Sequence, residues 1–355
     1  MAPRLYLRPI GLLYGNAARQ SVTSGSALPL AGGPIAFGAV EIIEGEAGSA
    51  KRVVARLTTV QAIEEPAARD LLHRLSAPRA ALAGLSLDQP RIMGIVNVTP
   101  DSFSDGGDHP TAETAADHGR RHRAEGADLL DIGGESTRPG ADTVPVEQEL
   151  ARVLPVIAAL RDVGAPLSLD TRKPEVMKAG AEAGAAILND VSGLTYSPHS
   201  IATAAQTGLP VIIMHAQGDP KTMQVNPTYK DVALEVYDFL EERIAAAIAA
   251  GIPRERIVAD PGIGFGKTLD HNLALFASMS LFHGLGVPLL VGASRKGLIN
   301  EVTGAVHPKE RVPGSLAAAL AMAHQGVQIV RVHDVAATRQ ALSVWLAAHN
   351  GREAP

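Results

Sequence analysis

From Arg91 onward the chain alternates between short apolar runs and longer amphipathic stretches. The apolar runs are RIMGIVNV, ADLLDIGG, PLSLD, AAILNDV, PVIIMHA, RIVADPG, PLLVGAS and QIVRVHD. Each is rich in Val, Ile and Leu with little polar alternation, as a strand covered on both faces should be. The stretches between them predict helices over residues 111–125, 145–163, 174–183, 229–250 and 311–324. Gly126, Gly164, Gly184, Gly208, Gly251 and Gly286 stand at helix-to-strand joints, where glycine most easily supplies the left-handed terminating residue. Eight such units between residues 91 and 350 predict an α/β fold, a (β/α)8 TIM barrel, an architecture of about 250 residues. A doubly wound sheet is the alternative, but no dinucleotide fingerprint follows the first strand.

Residues 1–90 fall outside this pattern. Two strand-like runs, 35–43 and 52–62, precede a helical stretch over 66–82, which predicts a small N-terminal α/β extension of unassigned role. The expected organisation is therefore an extension over 1–90 and a barrel over 91–350. Arg4, Arg8 and Arg19 precede the first acidic residue, Glu41, a faint likeness to an organellar leader. The apolar run at 35–43 reads instead as a buried strand. Arg4 and Arg8 break the N-terminal apolar stretch, so it lacks a secretory core, and no run reaches the length of about 18 apolar residues that spans a bilayer. A cytoplasmic protein without a membrane partner is expected.

Composition narrows the chemistry. Of 355 residues 46% are hydrophobic and 19% charged, which excludes general disorder. A net charge of −5 gives no overall attraction for nucleic acid. The absence of cysteine excludes a disulfide frame, a thiolate metal site and a cysteine nucleophile.

In parallel barrels the functional groups project from the C-terminal ends of the strands and the loops beyond them. Those ends carry Asn97, Asp131, Asp170, Asn189, His215, Asp260, Lys296, and Arg331 with His333. Buried apolar strands that all finish in polar groups are hard to explain by packing, because lone buried charges are costly. The mixture of carboxylates, amides and cations suits a polar heterocycle joined to an anionic group. NVTPDSFSDGG (97–107) and GGESTRPG (133–140) are small, polar, turn-rich loops, the first a candidate lid and the second carrying Arg138 as an anion ligand. DPGIGFGK (260–267) is not a phosphate-binding P-loop, since Pro261 stands where that pattern needs glycine, and it reads as a tight turn against a planar ligand. His118 and His122 share a helix face without the metalloprotease glutamate and read as solvated residues. His215 reads either as a ligand group or as a hydrogen-bonded barrel histidine. Met214 reads as core unless a flat ligand packs on it.

GIVNVTPDSFSDGG, DIGGESTRPG, SLDT, LNDVSG, DPGIGFGK, GASRK and RVHDV, in this order and spacing, closely resemble the dihydropteroate synthase family. The resemblance covers about residues 91–348 and omits residues 1–90. It implies condensation of 6-hydroxymethyl-7,8-dihydropterin diphosphate with 4-aminobenzoate, giving 7,8-dihydropteroate and pyrophosphate in folate biosynthesis. It implies that Asp170, Asn189 and Asp260 bind the pterin ring, whose N–H groups form a donor edge complementary to carboxylates. Lys296 matches the residue that donates to the pterin carbonyl and ring nitrogen, and Met214 and Phe265 match the apolar walls. Arg331 and His333 match diphosphate ligands, Asn97 a Mg2+ ligand, and Thr137 and Arg138 residues close to both substrates. The implied reaction is dissociative: pyrophosphate leaves with Mg2+, Arg331 and Arg138 stabilising its charge, and the arylamine then attacks the pterin cation. Asp101 and Asp105 would stabilise that cation or orient the amine. Where the family commonly has a residue such as serine after the lysine, this chain has Gly297, which bears on affinity for 4-aminobenzoate and for the sulfonamides that resemble it. A homodimer is expected from the resemblance alone. A pterin-binding methyltransferase would have no use for Arg138, Arg331 and His333, and a catalytically silent pterin-binding paralogue would not need intact loops.

Overall fold

A computed structural model describes residues 4–45, 52–99, 111–136, 140–218 and 221–350, with the side chains of 52–55 left aside. The chain opens with β1 (Arg4–Leu13), α1 (Gly15–Thr23), β2 (Leu28–Pro29), β3 (Ala36–Gly45), β4 (Arg52–Thr59) and α2 (Pro66–Ser76). These strands form an antiparallel sheet in which β3 is central, paired with β1 on one side and with β2 and β4 on the other. Leu7, Leu30, Phe37, Val40, Ile42 and Leu75 bury its apolar face. The sequence pattern predicts no strand over residues 4–13, where β1 forms. The arginines that break the run as a hydrophobic segment face ionic partners instead: Arg8 Nε donates to Glu41 at 2.7 Å, and Arg4 pairs with Asp238 at 2.9 Å. The predicted helix over 66–82 ends at Ser76.

The extension docks on the flank of the barrel. Tyr6 Oη donates to Asp238 Oδ1 at 2.9 Å and its ring meets Tyr237 edge-on. Tyr14 stacks on His324 at 4.3 Å.

The barrel follows as β5 (Arg91–Asn97), α3 (Ala112–Ala124), β6 (Leu129–Gly133), α4 (Val146–Leu160), β7 (Leu167–Asp170), α5 (Pro174–Ala183), β8 (Ile187–Asp190), α6 (Ser200–Thr207), β9 (Val211–Met214), α7 (Val232–Ala249), β10 (Ile257–Asp260), α8 (Leu269–Ala277), β11 (Leu290–Val291), α9 (Gly297–Thr303), α10 (Val312–His324), β12 (Ile329–Val332) and α11 (Val335–Asn350). Parallel pairing runs β10-β9-β8-β7-β6-β5-β12-β11, and a parallel bridge between Ala259 and Leu289 closes the ring. The eight apolar runs are its eight strands.

Local chemistry sets the helix ends. Thr111 caps α3 by accepting from Thr114 N, and the Asp231 carboxylate caps α7 by accepting from the Ala233 and Leu234 amides. Pro174 starts α5, and left-handed Gly184 ends it. One expectation is corrected here: His122 is buried rather than solvated, because α3 turns it inward to bring Nε2 within 3.2 Å of Ile95 O.

The strand period of two explains where the site lies. Met93, Leu129, Ile187, Ile212, Val258, Leu290 and Ile329 form one apolar layer across the barrel interior, closed from below by Leu82 and Leu87. Two residues further along, on the same face, stand Ile95, Asp131, Asn189, Met214, Asp260, Gly292 and Arg331. The interior thus gains four polar groups, Asp131, Asn189, Asp260 and Arg331, in one step toward the C-terminal mouth.

Candidate active site

A cavity of about 530 Å³ opens at that mouth. Of the residues proposed for the site from sequence, Asn97, Asp170, Phe265, Lys296, Arg331 and His333 line it, together with Glu135, Ser136, Lys267, Ser294 and Gly297. No residue before Ile95 lines it among those described. Met214 and Asp260 end neighbouring strands, Asn189 stands one residue before the end of the next, and all three are buried outside its walls. Asp101, Asp105, Thr137 and Arg138 lie outside the described residues.

The polar groups are joined by hydrogen bonds. Arg331 Nε donates to Asp131 Oδ2 at 2.6 Å and Nη2 to Asp170 Oδ2 at 2.8 Å. Asn189 Nδ2 reaches Asp131 Oδ2 at 3.1 Å, and Ser168 Oγ donates to Asp131 Oδ1 at 2.6 Å. Asp131 is 0% exposed and ties four strands together. Arg331 therefore neutralises two buried carboxylates as well as facing the cavity. Burial, reinforced by the Asp131 carboxylate, raises Asp170 while Arg331 opposes the rise. Burial likewise raises Asp260, against the pull of Lys296 and of the Gly262 amide that donates to Oδ1 at 2.8 Å.

Lys296 follows β11 at the start of α9. Its Nζ donates to Ile263 O and lies 4.3 Å from the centre of the Phe265 ring. Burial brings its ammonium down to about 7 although Asp260 pulls the other way. Arg295, at φ +58°, precedes it in a conformation rare for an arginine. Ser315 Oγ accepts from Arg295 N at 2.9 Å, Arg311 Nη1 donates to Arg295 O at 3.0 Å, and Asp334 accepts Arg295 Nε at 2.9 Å. This scaffold fixes the lysine turn to the end of β12. His333 Nδ1 lies 3.1 Å from Ser294 Oγ on the same rim.

DPGIGFGK is a tight turn, with Gly262, Gly264 and Gly266 all left-handed. A Cβ on Gly262 would overlap the His215 carbonyl oxygen. Gly262→Ala is therefore expected to cost about 2 kcal/mol of stability or more and to displace the turn. Denaturant unfolding checks this, and an unchanged midpoint would refute it. His215 is the hydrogen-bonded barrel histidine of the two alternatives, with Nδ1 2.9 Å from Lys267 Nζ.

Three features escaped the sequence reading as site components. Asp131 was visible as a strand end, but its role as a hub rests on which side chains share the barrel interior. A buried ionic group under the second loop joins Glu135 to Arg172 at 3.1 Å and to Lys173 at 2.9 Å, with Lys173 also on Glu149. Lys267 closes a motif whose glycines account for the turn.

Neutral and ionic hydrogen-bonding groups around a half-apolar cavity at the barrel mouth define a TIM-barrel enzyme for a polar planar substrate with an anionic arm. The family described as pterin binding enzyme matches residues 93–333. The chain is 53% identical over 266 residues to the dihydropteroate synthase of Neisseria meningitidis serogroup B, covering 74% of this chain and 93% of that protein. It is 49% identical over 270 residues to that of Escherichia coli, covering 76% and 95%. Among solved structures it resembles Xanthomonas albilineans dihydropteroate synthase with 4-aminobenzoic acid, at 53% identity and a TM-score of 0.72, covering 78% of this chain and 99% of that one. The same enzyme in complex with 7,8-dihydropteroate matches at 50% identity and a TM-score of 0.70, covering 78% and 100%. The chain belongs to the dihydropteroate synthase family.

Proposed function

We propose that this chain joins 6-hydroxymethyl-7,8-dihydropterin diphosphate to 4-aminobenzoate, releasing pyrophosphate and 7,8-dihydropteroate for folate synthesis. The observation that carries this reading is the polar step on the barrel interior, where Asp131, Asp170, Asn189, Asp260 and Arg331 stand at or near the C-terminal ends of the strands, with Asp170 and Arg331 lining the cavity beside Lys296. Asp170 and Asp260, with the Asn189 carboxamide, accept from the donor edge of the pterin ring. Lys296 donates to its carbonyl, and Phe265 and Met214 flank its faces. His333 and Arg331 meet the diphosphate, with Arg138 from the second loop.

The electrophile comes from the substrate. Departure of pyrophosphate leaves positive charge on the exocyclic methylene carbon, which the electron-rich dihydropterin delocalises. The neutral arylamine then attacks without a strong base, and Asp101 and Asp105 stabilise the cation or orient the amine. The Asn97 carboxamide, at the end of β5, has no hydrogen-bond partner among the described residues and offers one oxygen to a hard cation. Among those residues no group of three His, Asp or Glu would hold a metal alone, so a cation bound here takes its other ligands from phosphates and water. Mg2+ would supply charge neutralisation on the leaving pyrophosphate. Chelation is expected to abolish turnover and added Mg2+ to restore it, followed by pyrophosphate release. Full turnover after exhaustive chelation would remove the cation from the reading.

Gly297 lines the cavity, and a Cβ there would meet only Glu301 Oε1, at 4.0 Å. Gly297→Ser is thus expected to be accommodated and to lower KM for 4-aminobenzoate by about threefold through one added hydrogen bond, with KM for the pterin unchanged. Steady-state kinetics with each substrate varied separately checks it, and a change confined to the pterin would place 4-aminobenzoate elsewhere. The protein acts in the cytoplasm and as a homodimer. No helix of the described residues is long and apolar enough to cross a membrane.

A further inference from the structure

Lys267 has no part in the reading above, yet it is 3% exposed at the wall of the cavity. Its Nζ donates to Gly262 O at 2.9 Å and to Phe265 O at 3.0 Å, and it lies 2.9 Å from His215 Nδ1. Among the described residues no carboxylate lies within ion-pair distance. A buried lysine held only by neutral acceptors is costly, and its place has to be explained by what it holds. Both carbonyls belong to the turn after β10, while His215 follows β9 and is fixed edge-on against Phe239 at 4.8 Å.

The turn needs such a pin. Three of its five positions from 262 to 266 are left-handed glycines, without side chains to pack and with the widest backbone freedom of any residue. Between the pinned carbonyls lie Ile263 O, the acceptor of Lys296 Nζ, and Phe265, whose ring lies against the same ammonium. Lys267 therefore reaches the pterin half of the site through the backbone of the turn.

We propose that Lys267, seated on His215, is a positioning residue for pterin recognition: it fixes the 262–266 turn so that Phe265 and Lys296 stand where the ring binds. This rests on the pterin reading of the cavity. The test measures the dissociation constant of the pterin diphosphate by calorimetry alongside steady-state kinetics with both substrates. In Lys267→Met that constant rises about tenfold or more, while KM for 4-aminobenzoate changes by less than about threefold. His215→Leu reproduces the loss. His215→Asn restores affinity to within about threefold, because its Oδ1 takes the place of Nδ1 as acceptor. A merely structural role predicts a lower Tm and fewer active molecules at unchanged pterin affinity, and that result overturns the proposal. So does an equal loss in His215→Asn and His215→Leu, a comparison that decides alone if Lys267→Met does not fold. Wild-type protein that binds the pterin diphosphate but forms no product refutes the catalytic reading without touching this inference, whereas wild-type protein that does not bind it refutes both.

Discussion

Arg331→Ala is expected to lose both stability and turnover, by separable routes. The guanidinium holds Asp131 and Asp170, which are 0% and 9% exposed. Its removal leaves two carboxylates buried side by side, an effect of about 2–4 kcal/mol on unfolding even after allowance for its partly exposed side chain. In its proposed role as a cation facing the departing pyrophosphate, its loss adds a fall of about 10²-fold or more in kcat/KM. Arg331→Ala combined with Asp131→Asn removes one of the orphaned charges, so the double variant should recover part of the unfolding free energy and none of the activity. Denaturant titration and kinetics on the same preparations separate the two. Recovery of activity in the double variant would mean that Arg331 acts only as a structural counter-ion.

Lys296→Met is expected to act in opposite directions on stability and activity. With its ammonium brought down from 10.5 to about 7 by burial, the folded state below pH 7 holds a charge that the unfolded chain carries more easily. That penalty is fully present below about pH 7, weakens as pH rises, and disappears near the unfolded value of about 10.4. The methionine variant should therefore be more stable than the wild type at pH 6, with the gain shrinking as pH rises. Its kcat/KM for the pterin diphosphate should fall about 10²-fold or more if Lys296 is the proposed donor to the pterin carbonyl. In the wild type the same group should impose a decline in that parameter as pH rises through about 7. A wild-type profile flat from pH 6 to 9, or a methionine variant destabilised at pH 6, would contradict this account of Lys296.

The barrel was legible because its strands are unusually plain. VIIM, ILND and IVAD are buried on both faces, so apolar runs without alternation mark them directly. Strand β1 was not legible for the converse reason. RLYLRPIGLL is a half-buried strand whose arginines find partners far along the chain, Asp238 and Glu241 among them, and no local pattern announces those. The strand ends also share a place, since Asp170, Lys296, Arg331 and His333 line one cavity. Strand ends did not reveal that Arg331 would be bound to Asp131 and Asp170, because that depends on which residues of four strands share the interior layer. Lys267 was hidden by its motif: glycines explained the turn, and the pin that fixes it appeared only with His215 beside it.

Each residue role rests on one claim, that this cavity converts the two folate precursors. The most direct measurement incubates the purified chain with 6-hydroxymethyl-7,8-dihydropterin diphosphate, 4-aminobenzoate and Mg2+, and quantifies pyrophosphate and 7,8-dihydropteroate together. The account predicts both products in equal amounts, and no dihydropteroate when either substrate is withheld. Folded protein that binds the pterin diphosphate and yields no dihydropteroate would contradict it.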